Sequence, residues 1–499
     1  MHGTLPAFAR RLGDGERTVH APPPEARRPV ADSARPHVVG SQVTHHASRI
    51  THPGLLLLIV SLASCNSSGD GTIALEGATL IDGSGGDPIK DALVLVQHGH
   101  IQAVARVNEI PVPRGAQVVN LIGKTIIPGL IDAHAHVERW AAQRYLAWGV
   151  TTVRDLGALS TDSAIALKND FDLGSVLGPR MLTSGAMIDG APPTYATATA
   201  VRTPTDVRKA VDLRAVAGAD HVKIYTKFTA DLLRPLLDEA TTLRLPVAAH
   251  LGKIDALTAA RAGVASLEHM AGVVAAASRD PARYFRAHDQ FLRGWTIEEM
   301  GWAALDSAAL ARTARALAAT RVAIVPTLVV HEMLSRLDNP TLLSRPGMED
   351  VPAAAASVRD VAGLLRRTGW RTADLQAFRR SRARQNQFVR EFKRAGGLIA
   401  AGSDAANQLL VPGLSLHEEL SLLVAAGLTP VEALTAATRK GAELLRADSL
   451  GRVATGKVAD LVVLDANPAA NIAATRRIAW VMLRGRIFYP DSLRRTWAK

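Results

Sequence analysis

IIPGLIDAHAHVE, residues 126–138, decides how this chain is read. An apolar run ends in His134 and His136, two residues apart, and on a β-strand such residues point to the same face. Two imidazoles on one face of a strand end can reach a single cation, and imidazole nitrogen is a common ligand for zinc and related metals. A pair of histidines on a solvated strand would look the same, so the motif needs companions.

The companions lie further along. Short apolar runs end in Lys223 (VKIY), His250 (VAAH), His269 (SLEH) and Asp404 (LIAAGSD). Each has a bland reading of its own. The histidines could be core residues, Lys223 could snorkel along apolar surface, and Asp404 could cap the following helix. Taken together they follow the plan of a (β/α)8 barrel, where the C-terminal strand ends gather catalytic groups on one face.

The surrounding sequence supports that plan. Residues 129–447 alternate short apolar runs with amphipathic or Ala-rich stretches, which argues for βαβ units and a parallel sheet. Doubly wound α/β is the structural alternative. Residues 72–128 and 448–492 instead carry short alternating runs broken by Gly, Asn, Asp and Pro, the pattern of strands and hairpins. The expected fold class is therefore α/β, a (β/α)8 TIM-like barrel with a small β-sandwich domain built from the N- and C-terminal segments. A helix-rich interruption over 275–320 and 333–395, with Trp295, Trp302 and Trp370, is expected to cap the barrel mouth.

Composition bounds the rest. The chain has 499 residues, 47% of them hydrophobic, enough for one large domain and a smaller companion. Its formal charge of +12 is local: residues 358–394 hold eleven Arg or Lys against three Asp or Glu. That segment reads as a solvated helical face, the sharper reading being arginines turned to the active-site mouth or to an anionic membrane. No nucleic-acid motif accompanies it, so no nucleic-acid partner is expected.

The single cysteine, Cys65, permits no intramolecular disulfide and no thiolate zinc cluster. It follows LLLLIVSLA, residues 55–63, a run shorter than the roughly 20 apolar residues of a membrane span but suited to a signal peptide. LASC, residues 62–65, resembles the lipobox of bacterial lipoproteins. Residues 1–64 are accordingly read as a disordered extension plus signal and 65–71 as a linker, with residues 1 to about 42 assigned to a start codon placed too early. That resemblance implies a lipid anchor on Cys65, the only membrane attachment expected, on a periplasm-facing protein of the cell envelope. Asn66 after the cysteine leans toward the outer membrane.

The whole constellation resembles the binuclear branch of the amidohydrolase superfamily, in particular its prolidase-like and imidazolonepropionase-like members. HxH, VKIY, AAH, EH and GSD match, as do LHEELSLLVAAGLTPVEALTAAT (416–438) and GKVADLVVLDANP (456–468). The resemblance implies a CO2-derived carbamate on Lys223 bridging two divalent cations, with zinc the expected metal. His134, His136 and Asp404 would hold one cation, and His250 and His269 the other.

A water shared by two cations would be acidic enough to attack as hydroxide near neutral pH. Asp404 would act as general base and then general acid, yielding a carboxylate and an amine. Tyr225, two residues beyond Lys223 on the same strand face, is a candidate donor to the developing oxyanion. His331, ending PTLVVH, is a weaker candidate for substrate contact. Asp155, His417 and Glu418 are assigned structural roles.

The expected substrate is a dipeptide or an N-acyl amino acid. The alternatives are a mononuclear, imidazolonepropionase-like hydrolase of cyclic amides and a non-catalytic lipid-anchored binding protein. A homo-oligomer is left open.

Overall fold

The computed structural model describes residues 71–497, all within the compact unit Cys65–Lys499. The signal-like run and Cys65 lie outside the described residues. Among the described residues, no helix is long and apolar enough to cross a membrane.

Among the described residues five strands come first: β1 (Thr72–Leu80), β2 (Ile89–Gln97), β3 (His100–Arg106), β4 (Gln117–Asn120) and β5 (Thr125–Pro128). Ten more follow: β6 (Leu130–Ala135), β7 (Val150–Asp155), β8 (Arg180–Thr183), β9 (Ile188–Gly190), β10 (Thr199–Val201), β11 (Val222–Ile224), β12 (Val247–Ala249), β13 (Ser266–Glu268), β14 (Ala323–Val325) and β15 (Leu398–Ile399). The last three are β16 (Leu461–Leu464), β17 (Ile478–Leu483) and β18 (Arg486–Phe488).

Strands from both ends of the chain share one sheet, in the order β18-β17-β16-β5-β1-β2-β3, with β4 beside β1. The seam is β5 against β16, antiparallel, from Leu461 opposite Pro128 to Leu464 opposite Thr125. Where the alternating pattern suggested a sandwich of two sheets, the strands are hydrogen-bonded as one. The reason lies in its core. Ile101 on β3 and Trp480 and Met482 on β17, from distant strands of that order, share a buried cluster with Leu75, Val94 and Leu461. A strongly twisted sheet can wrap over its own apolar face, and no second sheet is then needed to cover it.

The central strands are all parallel, in two runs: β6-β7-β8 and β10-β9-β11-β12-β13-β14-β15. Backbone bonds join the runs. Asp220 N, just before β11, donates to Thr183 O of β8 at 2.9 Å. Beyond β15, Ala133 N of β6 donates to Ala401 O (2.9 Å), and Asp404 N donates to His134 O (2.7 Å). Helices connect the strands, giving an α/β architecture of the TIM-barrel type. Strand β6 is buried along its whole length, as a strand covered on both faces must be.

The basic segment becomes mainly the helix Thr372–Arg394. Its buried face carries Leu375, Phe378, Ser381, Gln385, Phe388, Val389 and Phe392 at helical spacing. Most of its cations are used locally: Arg379 pairs with Asp338, Arg382 with Glu332, Lys393 with Glu432 and Arg394 with Glu391. The solvated-face reading accounts for them.

Gly402, in GSD, sits where two strands approach closely. A Cβ there would lie 2.6 Å from Val325 Cγ1 and 2.8 Å from both His134 N and His134 Cβ. Gly402→Ala is expected to cost about 1–3 kcal/mol by overpacking and to push His134 out of place; urea unfolding and metal content read the two effects.

Candidate metal centre

The strand ends bring the six singled-out residues to one place. His134 lies near the end of β6 with His136 just beyond it, Lys223 lies in β11, His250 and His269 directly follow β12 and β13, and Asp404 follows β15. The imidazoles form a chain, with ring centroids 5.5 Å apart for His134–His136, 4.5 Å for His134–His269 and 4.6 Å for His250–His269. Asp404 Oδ1 is 3.2 Å from His134 Nε2 and 3.0 Å from His136 Nε2. All are buried except His136, whose side chain is 31% exposed and so marks the solvent side. His269 and Asp404 hold left-handed backbone, at φ 58° and 59°, which a non-glycine residue rarely adopts and which clusters at functional sites.

The imidazoles are oriented from behind. His134 Nδ1 meets Glu268 Oε2 at 2.7 Å, His136 Nδ1 donates to Gly157 O at 3.0 Å, and His269 Nδ1 shares a hydrogen bond with Thr327 Oγ1 at 2.8 Å. With the Nδ1 proton given to Glu268, His134 Nε2 carries a lone pair turned toward the carboxylate of Asp404. Two lone pairs face each other at close range, which is unfavourable unless a proton or a cation lies between them.

His134 Nε2, Lys223 Nζ and Asp404 Oδ1 are all buried and lack a hydrogen-bond partner among the described residues. Buried polar atoms are seldom left so. His134, His269 and Asp404 place ligand atoms within 4.8 Å of one another, close enough to hold one ion. The donor set therefore fits a divalent cation.

The protonation states suit that role. Burial, reinforced by the Lys223 charge, holds the His250 imidazole well below its ordinary pKa; burial does the same for His269, so both are neutral, as a ligand must be. Burial would raise Asp404, but positive charge at the surrounding imidazoles, the place a cation would take, holds the carboxylate well below its ordinary range. Burial brings Lys223 down to about 8, putting the neutral amine, the form that reacts with CO2, within reach near neutral pH.

Tyr225 stands beside His250, ring centroids 4.7 Å apart, and burial raises its phenol far enough to keep the proton. His331 is placed differently from a substrate contact. Nδ1 meets Glu299 Oε2 at 2.8 Å, Nε2 meets the His269 carbonyl at 3.1 Å, and the ring stacks on Trp295. Both nitrogens are engaged by the protein, so it braces the loop that carries His269. Asp155 does hold loop structure, accepting from Val137 N and Thr183 Oγ1. His417 is spanned between Thr475 Oγ1 and Trp148 O.

The family model of the amidohydrolase family matches residues 125–488, most of the chain. The chain belongs to the amidohydrolase family. As such it is a hydrolase acting on carbon–nitrogen bonds, in a family of metal-dependent enzymes. A solved protein of Bifidobacterium longum assigned as a prolidase is 26% identical, covers 86% of this chain and 99% of its own, and superposes with a TM-score of 0.64. Bottromycin amidohydrolase shares the fold at TM-score 0.66 and 24% identity, covering 86% of this chain and 89% of its own. An Idiomarina loihiensis imidazolonepropionase is 36% identical over 70 residues, which is 14% of this chain and 17% of that protein.

This amidohydrolase also has a supporting layer behind the ligand-type residues, which the spacing of those residues does not reveal. Glu268, immediately before His269, is wholly buried and accepts from Arg154 Nη2 (2.8 Å) and Ser266 Oγ (2.5 Å) besides facing His134. Arg154 also donates from Nε to Ala133 O at 2.6 Å, tying β7 to β6. Burial would raise Glu268, but Arg154 and His134 lower it, so it remains a carboxylate. The signal was present as charged residues inside apolar strands, VTTVRD and SLEH. A cleft of about 420 Å3 lined by Arg439, Glu443, Arg446, Asp448, Arg452 and Lys457 lies elsewhere. Its Ala442 and Leu450 pack with Ile131, Ala323 and Leu398, at the starts of strands and away from the ligand ends.

Glu268→Gln in the amidohydrolase keeps the shape and removes the charge that orients His134. Metal affinity is expected to fall about 10–100-fold, as for other partners of metal-bound histidines; competition with a chromogenic chelator measures it.

Proposed function

We propose that the enzyme hydrolyses an amide bond of a dipeptide or an N-acyl amino acid at a two-metal site in a closed (β/α)8 barrel. Zinc is the expected cation. His134, His136 and Asp404 would hold one ion, His250 and His269 the other, and Lys223, as a carbamate, both. One observation carries this reading: a lysine nitrogen, a histidine nitrogen and a carboxylate oxygen, all buried, converge at the strand ends without partners.

Bound cations would supply Lewis acidity and an attacking water of lowered pKa. The residues do the rest. Asp404, ionised beside its histidines, accepts the water proton at Oδ and returns it to the amine nitrogen as the C–N bond breaks. Tyr225, keeping its proton, donates a hydrogen bond to the carbonyl oxygen as charge develops there. Glu268 fixes the His134 ring throughout.

A one-metal, imidazolonepropionase-like reading is favoured by the compact His134, His269 and Asp404 group alone. Metal analysis separates the two. Two equivalents per chain are expected, with Lys223→Ala losing roughly one of them and at least about a hundred-fold in kcat/KM; one equivalent and an active Lys223→Ala would favour the mononuclear enzyme. Asp404→Asn is expected to abolish turnover while leaving the fold intact by circular dichroism.

A lipid anchor on Cys65, facing the periplasm at the outer membrane, is part of the same proposal and is supported by LASC and the polar residues that follow it. Mass spectrometry of the mature protein is expected to find a lipid-modified Cys65 at its N-terminus, and an unmodified chain retaining residues 1–64 would refute it.

A further inference from the structure

Aromatic residues are scarce in this chain, at 4%, yet four of them meet beside one candidate metal ligand. Tyr195 and Tyr225 have ring centroids 5.6 Å apart, Tyr225 and Phe291 5.7 Å, Tyr195 and Phe291 5.9 Å, and Phe291 and Trp295 6.4 Å. Phe291 and Trp295 each lie 5.9 Å from the His250 ring. Met187 and Ala198 back this group, which leaves it apolar.

Two separate elements build the wall. The helix Phe291–Gly301 presents Phe291 and Trp295 four residues apart and hence on one face. Opposite, Asp189 pins the loop that carries Tyr195: its Oδ2 accepts from Thr194 N and its Oδ1 from Lys227 N, both at 2.7 Å. The wall is not packed shut. Tyr195 is 43% exposed, and Phe291 and Trp295 are half-buried. Trp295 Nε1 is shielded from solvent and has no partner among the described residues, a donor left over next to His250 and His269. Partly exposed aromatic surface with an unused polar handle beside the reacting centre has the make-up of a ligand subsite.

We propose that Tyr195, Phe291 and Trp295 form a specificity subsite for an aromatic or bulky apolar group flanking the scissile amide. The proposal rests on the amide-hydrolase reading and adds the substrate class. Rings stack on rings in offset or edge-to-face geometry, and the wall offers such faces while offering no charged side chain of its own to an acidic substrate.

The zinc-loaded enzyme is assayed on N-acetyl-L-phenylalanine and phenylacetylglycine, which carry the ring on either side of the amide, and on N-acetylglycine and N-acetyl-L-aspartate. At least one aromatic substrate is expected to exceed N-acetylglycine in kcat/KM by about ten-fold or more, the order expected for burying one aromatic side chain. Tyr195→Ala and Phe291→Ala are each expected to cut that ratio at least about three-fold, mainly through KM. Tyr195 is exposed, so its variant folds even if Phe291→Ala does not, and Phe291→Leu provides the gentler second test. Equal rates on the aspartate and aromatic compounds, or a ratio that survives both alanine variants, would overturn the subsite. Calorimetric binding separates the two levels. Preferential binding of an aromatic compound without turnover refutes amide hydrolysis but keeps the subsite, whereas turnover without preference refutes the subsite alone.

Discussion

A histidine lone pair facing a carboxylate oxygen at about 3 Å, in a site that water scarcely reaches, is the constraint on which the rest of this structure depends. Asp404 stands between His134 and His136, while Lys223 brings an unpaired nitrogen into the same buried space. Left alone, such atoms would destabilise the fold by the desolvation of each group. A cation turns the same atoms into ligands, so that metal binding and folding become linked.

Much of the surrounding structure can be read as what holds those atoms in place. Glu268, charged and buried, is itself tolerable only because Arg154, Ser266 and His134 satisfy it. Arg154 in turn reaches the backbone of β6, so the strand bearing the HxH pair, the strand behind it and the Glu268–His269 strand end are coupled. Gly402 permits the close approach of the last parallel strand to His134. On the far side of His269, His331 and Glu299 brace its carbonyl, with Gln385 of the long basic helix donating to Glu299 at 2.8 Å. A segment conspicuous for its charge thus contributes a neutral amide to the site's support.

The helical insertions also decide what the site meets. They place Phe291 and Trp295 against His250, turning the mouth beside the candidate metal centre into an aromatic surface. The strand-end side, with its histidines and carboxylate, is polar and tied by hydrogen bonds, and the aromatic side is apolar and partly open. That division suits a hydrolase in which chemistry and selectivity are carried by different elements, the strand ends for the first and a helix and a loop for the second.

By itself the sequence determined the parts whose information is local or periodic. The two-residue spacing of His134 and His136, the ligand-type residues at later strand ends and the alternation of apolar runs with amphipathic stretches all follow from strand and helix geometry. Only the tertiary structure decided which residues act on one another from opposite sides of the chain. Glu268 and Arg154 read as stray charges within apolar strands until folding sets them 2.8 Å apart. Neither His331 turned to a backbone carbonyl nor the terminal strands wrapped into one sheet is written in any spacing. The same holds for Tyr195, Phe291 and Trp295, which are far from His250 along the chain. Their meeting depends on how helices and loops pack over the strand ends, and packing is a property of the whole chain.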